Sequence, residues 1–342
     1  MSATVTIIGT GLVTAVGWNA AASCAAIRGK VKNPVQTAYA QASGEWITAY
    51  RIPSVTCAGL RHALVEWASS AVVEALDVLP ESAQLARIPL LLCLAENDRA
   101  WRPYRHGDEL LRDISAATCL SFHPASAVIE RGRVSVGVAL ATAQDLLRSK
   151  SVDAVLVAGV DSLVSSSMLA HFDSRGRLLA KRNANGFIAG EAAGALLVAT
   201  ADTMAGGMTL SGVGFGVETA TIETGGALRA DGLTTAIRNA LDQAGCQMHD
   251  IGFRLGDLSG EQYYFKEAAL ALARTLRRRR AQFDLWHPAE CVGEVGAAAG
   301  AVAVAVAKAA FDKSYALGSS ALIHLANDSG ERSAIVLEAP RR

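Results

Sequence analysis

Residues 5–11, Val5-Thr6-Ile7-Ile8-Gly9-Thr10-Gly11, and residues 208–214, Met208-Thr209-Leu210-Ser211-Gly212-Val213-Gly214, share one shape: a β-rich run that ends in glycines. Each is a candidate opening of a half. Two further stretches pair in the same order, Gly190-Glu191 before the apolar run Ala195–Ala199 and Gly330-Glu331 before Ala334–Glu338, as candidate closing strands. The order open, close, open, close predicts an internal duplication, with halves at 1–205 and 206–342. Between these anchors helical patterns alternate with strands. Ala20–Arg28 stops at Gly29, Leu60–Leu79 stops at Pro80, and Val136–Leu147 leads into the strand-like Val152–Ala158. In the second half Leu233–Ala244 stops at Gly245, and Glu267–Arg280 reads as helix with Arg277–Arg280 at its C-terminal end, where cations complement the dipole. Gly296–Ala309 is so uniformly small and apolar that it has to pack between layers. The class is α/β.

Lys plus Arg and Asp plus Glu both total 32, so no net field draws in nucleic acid or an anionic membrane. Charged residues are only 19% against 51% apolar, which points to a surface covered by a homodimer or another protein partner. The most membrane-like stretch, Val295–Ala307, falls short of the ~20 residues a span needs. Six scattered cysteines, Cys24, Cys57, Cys93, Cys119, Cys246 and Cys291, form no CxxC pair, and the opening residues lack a basic leader, so reduced thiols and a cytoplasmic location are expected. Neither a metal nor a cofactor is expected, since the histidines lack ligand spacing. Gly9 and Gly11 do not form a dinucleotide-binding loop either, because the third glycine of GxGxxG is replaced by Thr14.

Several segments nevertheless resemble one family in order along the chain. Residues from Val5 to Lys30 resemble the opening of β-ketoacyl synthases, and VDAVLVAGVDS (152–162) with RLLAKRNANGFIAGEAAGALLV (177–198) resembles their middle. CVGEVGAAAGAV (291–302) is similar to their buried C-terminal helix. The resemblance implies a thiolase-like αβαβα five-layer sandwich made of two duplicated halves. It also implies a cysteine nucleophile and two histidines, and here the matching positions have changed. The nucleophile motif falls at Arg133-Val134-Ser135, the first histidine loop at the run beginning Gly256-Asp257-Leu258, and the second histidine at Glu294. A thiolate and two oxyanion donors are what the condensing reaction needs, so the resemblance implies a chain that has lost it. The strings around 257–268 and 285–298 are further similar to short thiolase-like proteins labelled 3-oxoacyl-carrier-protein synthases, often encoded beside type VI secretion effectors. That likeness suggests an accessory or effector-loading role.

Three readings stay open: a catalytically inactive adaptor that binds another protein, such as a secreted effector; an acyl- or thioester-processing enzyme using Glu261, Glu294 and Cys291; and a non-catalytic acyl or carrier-protein binder. His287 and Cys291, four apart, are a candidate nucleophile pair if the segment is helical, with Pro288 opposing it. Asp257, Ser259, Glu261 and Gln262 form a candidate polar pocket floor. Glu261 and Glu294 are expected in one hydrogen-bonded cluster, bonded to amides of 257–263 and 291–297, with little room for substrate. The charged, aromatic loop from Glu96 to His106 is a candidate partner surface, and a two-fold dimer is expected near Arg133–Val138.

Overall fold

The computed structural model describes residues 4–41, 43–53, 59–80, 85–201 and 207–340. The first half contains β1 (Val5–Thr14), α1 (Ala20–Arg28), β2 (Val35–Ala40), β3 (Trp46–Tyr50), α2 (Leu60–Leu76), β4 (Leu90–Leu94) and α3 (Gly107–Thr118). It continues with β5 (Ala127–Glu130), α4 (Ser135–Arg148), β6 (Ala154–Ser162), α5 (Ser166–Ser174) and β7 (Ala189–Thr200). The second comprises β8 (Met208–Val217), α6 (Asp231–Ala244), β9 (Phe253–Gly256), α7 (Gln262–Thr275), β10 (Leu285–Trp286), α8 (Ala289–Val292), α9 (Ala299–Asp312), β11 (Ser320–Ala326) and β12 (Glu331–Glu338).

Read outward from the middle, the strands run β1-β7-β6-β4-β5 on one side and β8-β12-β11-β9-β10 on the other. The directions match as well. In both series the first two pairings are antiparallel and the next two parallel. The two series touch edge to edge only at Thr6–Thr209 and Ile7–Met208. This is the duplicated αβαβα arrangement. The expected join at 205/206 falls among residues 202–206, outside the described residues, as does Cys57.

The glycines of the opening strands have a packing role rather than a turn role, because both strands run straight through them. A Cβ on Gly9 or Gly11 would come 2.2 or 2.0 Å from the carbonyl oxygens of Ala75 or Ala71 in α2. In β8, a Cβ on Gly212 or Gly214 would come 2.1 Å from those of Ala240 or Ala236 in α6. The repeated motif is therefore the footprint of an outer helix lying directly on a central strand. β4 shows the layering in five residues: Leu91 and Cys93 enter the core between the sheets, while Leu90, Leu92 and Leu94 enter the core under α2 and α3. Burial on both faces explains its unbroken apolar sequence. α4 and α9 fill the middle layer, and Ala303 to Ala307 of α9 are all buried.

Two helix expectations need correction. The predicted helix at Glu267–Arg280 lies at Gln262–Thr275 instead. It starts earlier because Gly260, at φ +137°, turns the chain and the Gln262 amide donates to Asn185 Oδ1 at 2.7 Å. It stops earlier because Leu276 is extended, so Arg277–Arg280 lie beyond the helix rather than at its dipole. The 96–106 loop is also less free than its composition suggests: Arg99 pairs bidentately with Asp161, Arg102 with Glu130, and Tyr104 is buried. Trp101 is the loop's exposed aromatic, at 62%, beside exposed Asn97, Asp98, Ala100, Arg105 and His106.

Replacing Gly11 by alanine should force α2 off β1 and lower stability by about 1–3 kcal/mol, the usual result of overpacking. Gly226→Ala, whose new Cβ meets nothing closer than 3.4 Å, should change it by less than about 0.5 kcal/mol. Urea unfolding followed by circular dichroism separates the two.

Candidate functional site

β5 delivers the chain to the centre of the molecule. Gly132 turns it at φ +52°, where a Cβ would run into the Glu96 carboxylate, and a single 3-10 turn leads into α4. Ser135 fixes the corner, accepting from the Arg131 amide at 2.9 Å and donating to the Ile129 carbonyl at 3.0 Å. Val134 enters the core between the sheets. The side chain left pointing into the site is Arg133, 7% exposed.

Asp257 and Glu294 meet it there. Asp257 follows the end of β9, its Oδ2 accepting from the Ala326 amide at 2.8 Å and lying 3.9 Å from Arg133 Nε. Glu294 sits in the turn between α8 and α9. Its backbone is clamped in both directions to the start of β7, its amide donating to the Ile188 carbonyl and its carbonyl accepting from Gly190. Its carboxylate accepts from Arg133 at 3.3 Å, Ser259 Oγ at 2.9 Å and the Gly296 amide at 3.1 Å. Arg133 from the segment that the resemblance matches to the nucleophile motif, Asp257 from the run matched to the first histidine loop and Glu294 at the second histidine thus converge here as a guanidinium and two carboxylates.

The cluster extends further than these three. Arg133 also donates to Tyr264 Oη at 2.8 Å and Asp328 Oδ1 at 2.5 Å, with its guanidinium 4.7 Å from the Tyr264 ring centre. Tyr264 donates to the same Asp328 oxygen. On the far side of Asp328, Arg177 donates to Asp328 Oδ2 at 2.5 Å and bidentately to Glu261 at 2.7 Å on both oxygens. Glu294 and Glu261 therefore share one network, but it is stitched by two arginines. The expected amide caps are reduced to the one from Gly296. Ser259 belongs to the cluster; Gln262 does not, being exposed at the start of α7, and Leu258 packs in an apolar cluster with Tyr264 and Ala268. Arg177, Tyr264 and Asp328 were not singled out from sequence, because isolated polar residues 64 to 195 positions from their partners carry no local pattern.

Two cations face four carboxylates in this buried space, and burial decides how they titrate. Desolvation pushes Glu294 up to about 7, with Arg133 opposing the rise. It raises Asp257 too, again against Arg133. Asp328 goes the other way: although burial raises it, Arg133 and Arg177 on either side hold it well below the usual carboxylate range. The cavity bordered by Leu163, Phe172 and Phe187 measures about 40 Å³, enough for a water or two, and Arg177, Asp328 and Phe172 also line a larger, more open one of about 420 Å³.

Cys291 and His287 sit elsewhere, on a separate cavity between α1, α9 and the β10–α8 segment. Proline does not prevent the helix, which begins just after it, but the two side chains do not pair. The Cys291 thiol is directed to the Ile27 carbonyl at 4.0 Å, and His287 Nδ1 lies 3.3 Å from Glu290. Burial raises the thiol and lowers the imidazole, opposite to what a thiolate–imidazolium pair needs. Of the segment 133–138 expected near a dimer interface, residues 133–137 are buried within the single chain and Val138 is half-exposed.

A family model for the β-ketoacyl synthase N-terminal domain matches residues 117–203. No curated protein sequence matches the chain. Among solved structures, an ishigamide ketosynthase/chain length factor superposes with a TM-score of 0.81 at 17% identity, covering 99% of this chain and 100% of that one. A type II polyketide-synthase acyl-carrier protein in complex with its ketosynthase bound to the hexaketide gives 0.81 at 15% identity, with 99% and 100% coverage. A β-ketoacyl synthase from Burkholderia phymatum STM815 gives 0.75 at 15% identity, with both chains fully covered. The fold is that of the thiolase-like β-ketoacyl synthase superfamily. Within it, this chain carries Arg133, Asp257 and Glu294 where the resemblance implies the condensing residues.

Removing the central cation leaves buried carboxylates without their counter-ion, so Arg133→Ala should destabilise by about 3–5 kcal/mol. Glu294 gives a test with a sign. Its folded pKa lies above its unfolded value, so the folded state binds more protons between about 4.5 and 7, and its contribution to stability is lost as pH rises through that window. The melting temperature of the natural protein relative to Glu294→Gln should therefore fall between pH 5 and pH 8; a flat or rising difference contradicts the assignment.

Proposed function

We propose that the chain is a non-condensing ketosynthase-fold subunit that acts by binding another protein. The observation that carries this is Arg133, in the segment matched to the nucleophile motif, held by ion pairs between Glu294, Asp257 and Asp328. Condensation needs a thiolate to carry the acyl group and donors aimed at the developing oxyanion, and carboxylates at the donor positions oppose that charge. The enzyme reading based on Glu261, Glu294 and Cys291 is disfavoured because Cys291 and Glu294 line different cavities and Glu261 is held bidentately by Arg177.

The partner we favour is a ketosynthase-fold subunit, either a second copy of this chain or a condensing relative. Two of the similar structures are described as a ketosynthase with a chain length factor, which supports a pairing of this kind. β5 is an edge strand that pairs only with β4, and its outer side is where a two-fold partner would extend the sheet. A secreted effector or its delivery apparatus, acting in the cytoplasm, is the alternative occupant.

The protein incubated with acyl-CoA or acylated carrier protein should show no acyl adduct by intact mass and form no β-ketoacyl product. Arg133→Cys alone should not restore condensation, because Asp257 and Glu294 still replace the donors. An adduct mapped to Cys291, with turnover lost in Cys291→Ala, would establish an enzyme instead. Light scattering reads the pairing: twice 35.6 kDa for a self-pair, and a mixed complex when a ketosynthase from the same organism is co-expressed.

A further inference from the structure

The cavity around Cys291 measures about 350 Å³, within the size range of small-molecule sites. Its walls are apolar and come from four places in the chain: Ile27 at the end of α1, Leu285 and Trp286 of β10, Val306 of α9, and Tyr315 beyond α9. The aromatic walls are braced. Trp286 and Tyr315 lie nearly parallel, 25° apart with centres 6.2 Å apart, and Phe253 backs Trp286 at 4.5 Å. Arg28 lies across the Tyr315 ring, its guanidinium carbon 4.1 Å from the centre.

The polar groups stand on one side. Arg28 and Lys30 line the mouth, and among the described residues neither forms an ion pair. The cavity's single carboxylate, Glu290, is already engaged by His287 Nδ1 at 3.3 Å and lies 4.0 Å from Lys32 Nζ. Burial, helped by Lys30 and Lys32 and opposed by Glu290, lowers the His287 imidazole, and burial raises the Cys291 thiol. An apolar chamber with two cations at its mouth, Arg28 stacked on Tyr315 and Lys30, neither in an ion pair among the described residues, is complementary to an amphiphile of one particular sign.

We propose that this cavity binds a small apolar monocarboxylate, its hydrocarbon body between Trp286, Val306 and Ile27 and its carboxylate at Arg28 and Lys30. The binding is non-covalent and needs neither the Arg133 cluster nor a partner subunit, so it stands or falls apart from the pairing reading.

Sodium octanoate titrated into the full-length protein tests this by calorimetry and by fluorescence. Saturable one-site binding is expected, with a fluorescence change that disappears in Trp286→Phe. Arg28→Gln combined with Lys30→Gln should weaken binding about tenfold. Octylamine, with the same chain and the opposite charge, should not compete. Ile27→Trp should fill the chamber from its half-exposed wall and abolish binding; should that variant fail to fold, Val306→Met narrows the chamber from the opposite side. Absence of saturable octanoate binding overturns the proposal, as does equal affinity for octylamine or unchanged affinity in the double glutamine variant.

Discussion

Arg133 stands at the N-terminal end of α4, where the helix dipole repels a cation, and its surroundings reverse that preference. Asp257, Glu294 and Asp328 lie between 2.5 and 3.9 Å from its guanidinium. Burying an isolated charge costs several kcal/mol, so the arginine is tolerated only because its anions are buried with it. The same helix end would favour a thiolate. One change of sign at the centre of the site accounts for the changes around it: imidazoles would add charge beside the arginine, whereas carboxylates neutralise it.

The network also has a direction. Arg133 and Arg177 both come from the half before β8, while Asp257, Glu261, Glu294, Tyr264 and Asp328 all come from the half after it. Where the central strands meet at only two residue pairs, this cluster clasps the halves at the far end of the middle layer. A second buried pair supports the anionic side. Arg332 and Glu267, essentially unexposed, join β12 to α7, and Arg332 also holds the Asn327 carbonyl beside Asp328. Buried ion pairs are poor sources of net stability, because a well-packed apolar replacement often does as well. They do impose geometry, since each partner is costly to leave alone.

How much of this could be read from the chain follows from which interactions are local. The duplicated opening strands were legible because a helix lying on a strand demands glycine at alternate positions, and that demand leaves the same trace at Gly9 and Gly11 as at Gly212 and Gly214. α9 was legible because a helix apolar all round has only one place to go. The replaced positions Arg133, Asp257 and Glu294 could be found by register with the family motifs, but not the fact that they neutralise one another. Asp328 in particular lies in a short loop between β11 and β12 whose sequence gives no sign that two arginines from distant elements converge on it.

A centre filled by paired charges and the retention of the fold are consistent in physical terms. In a condensing site the central space must stay open for an acyl chain and keep polar groups free to meet a transition state, which leaves them underpaired at rest. Here nearly every such group is satisfied: Glu294 has three donors, Arg133 four acceptors or π contacts, and Arg177 two carboxylates. A network with its hydrogen bonds already made gains nothing further by admitting a substrate, and disrupting it exposes unpaired buried charge. The centre of this molecule is thus a fixed internal contact between paired charges, while groups without such partners stand at its periphery, at the outer edge of β5 and at the cationic mouth of the cavity beside α1.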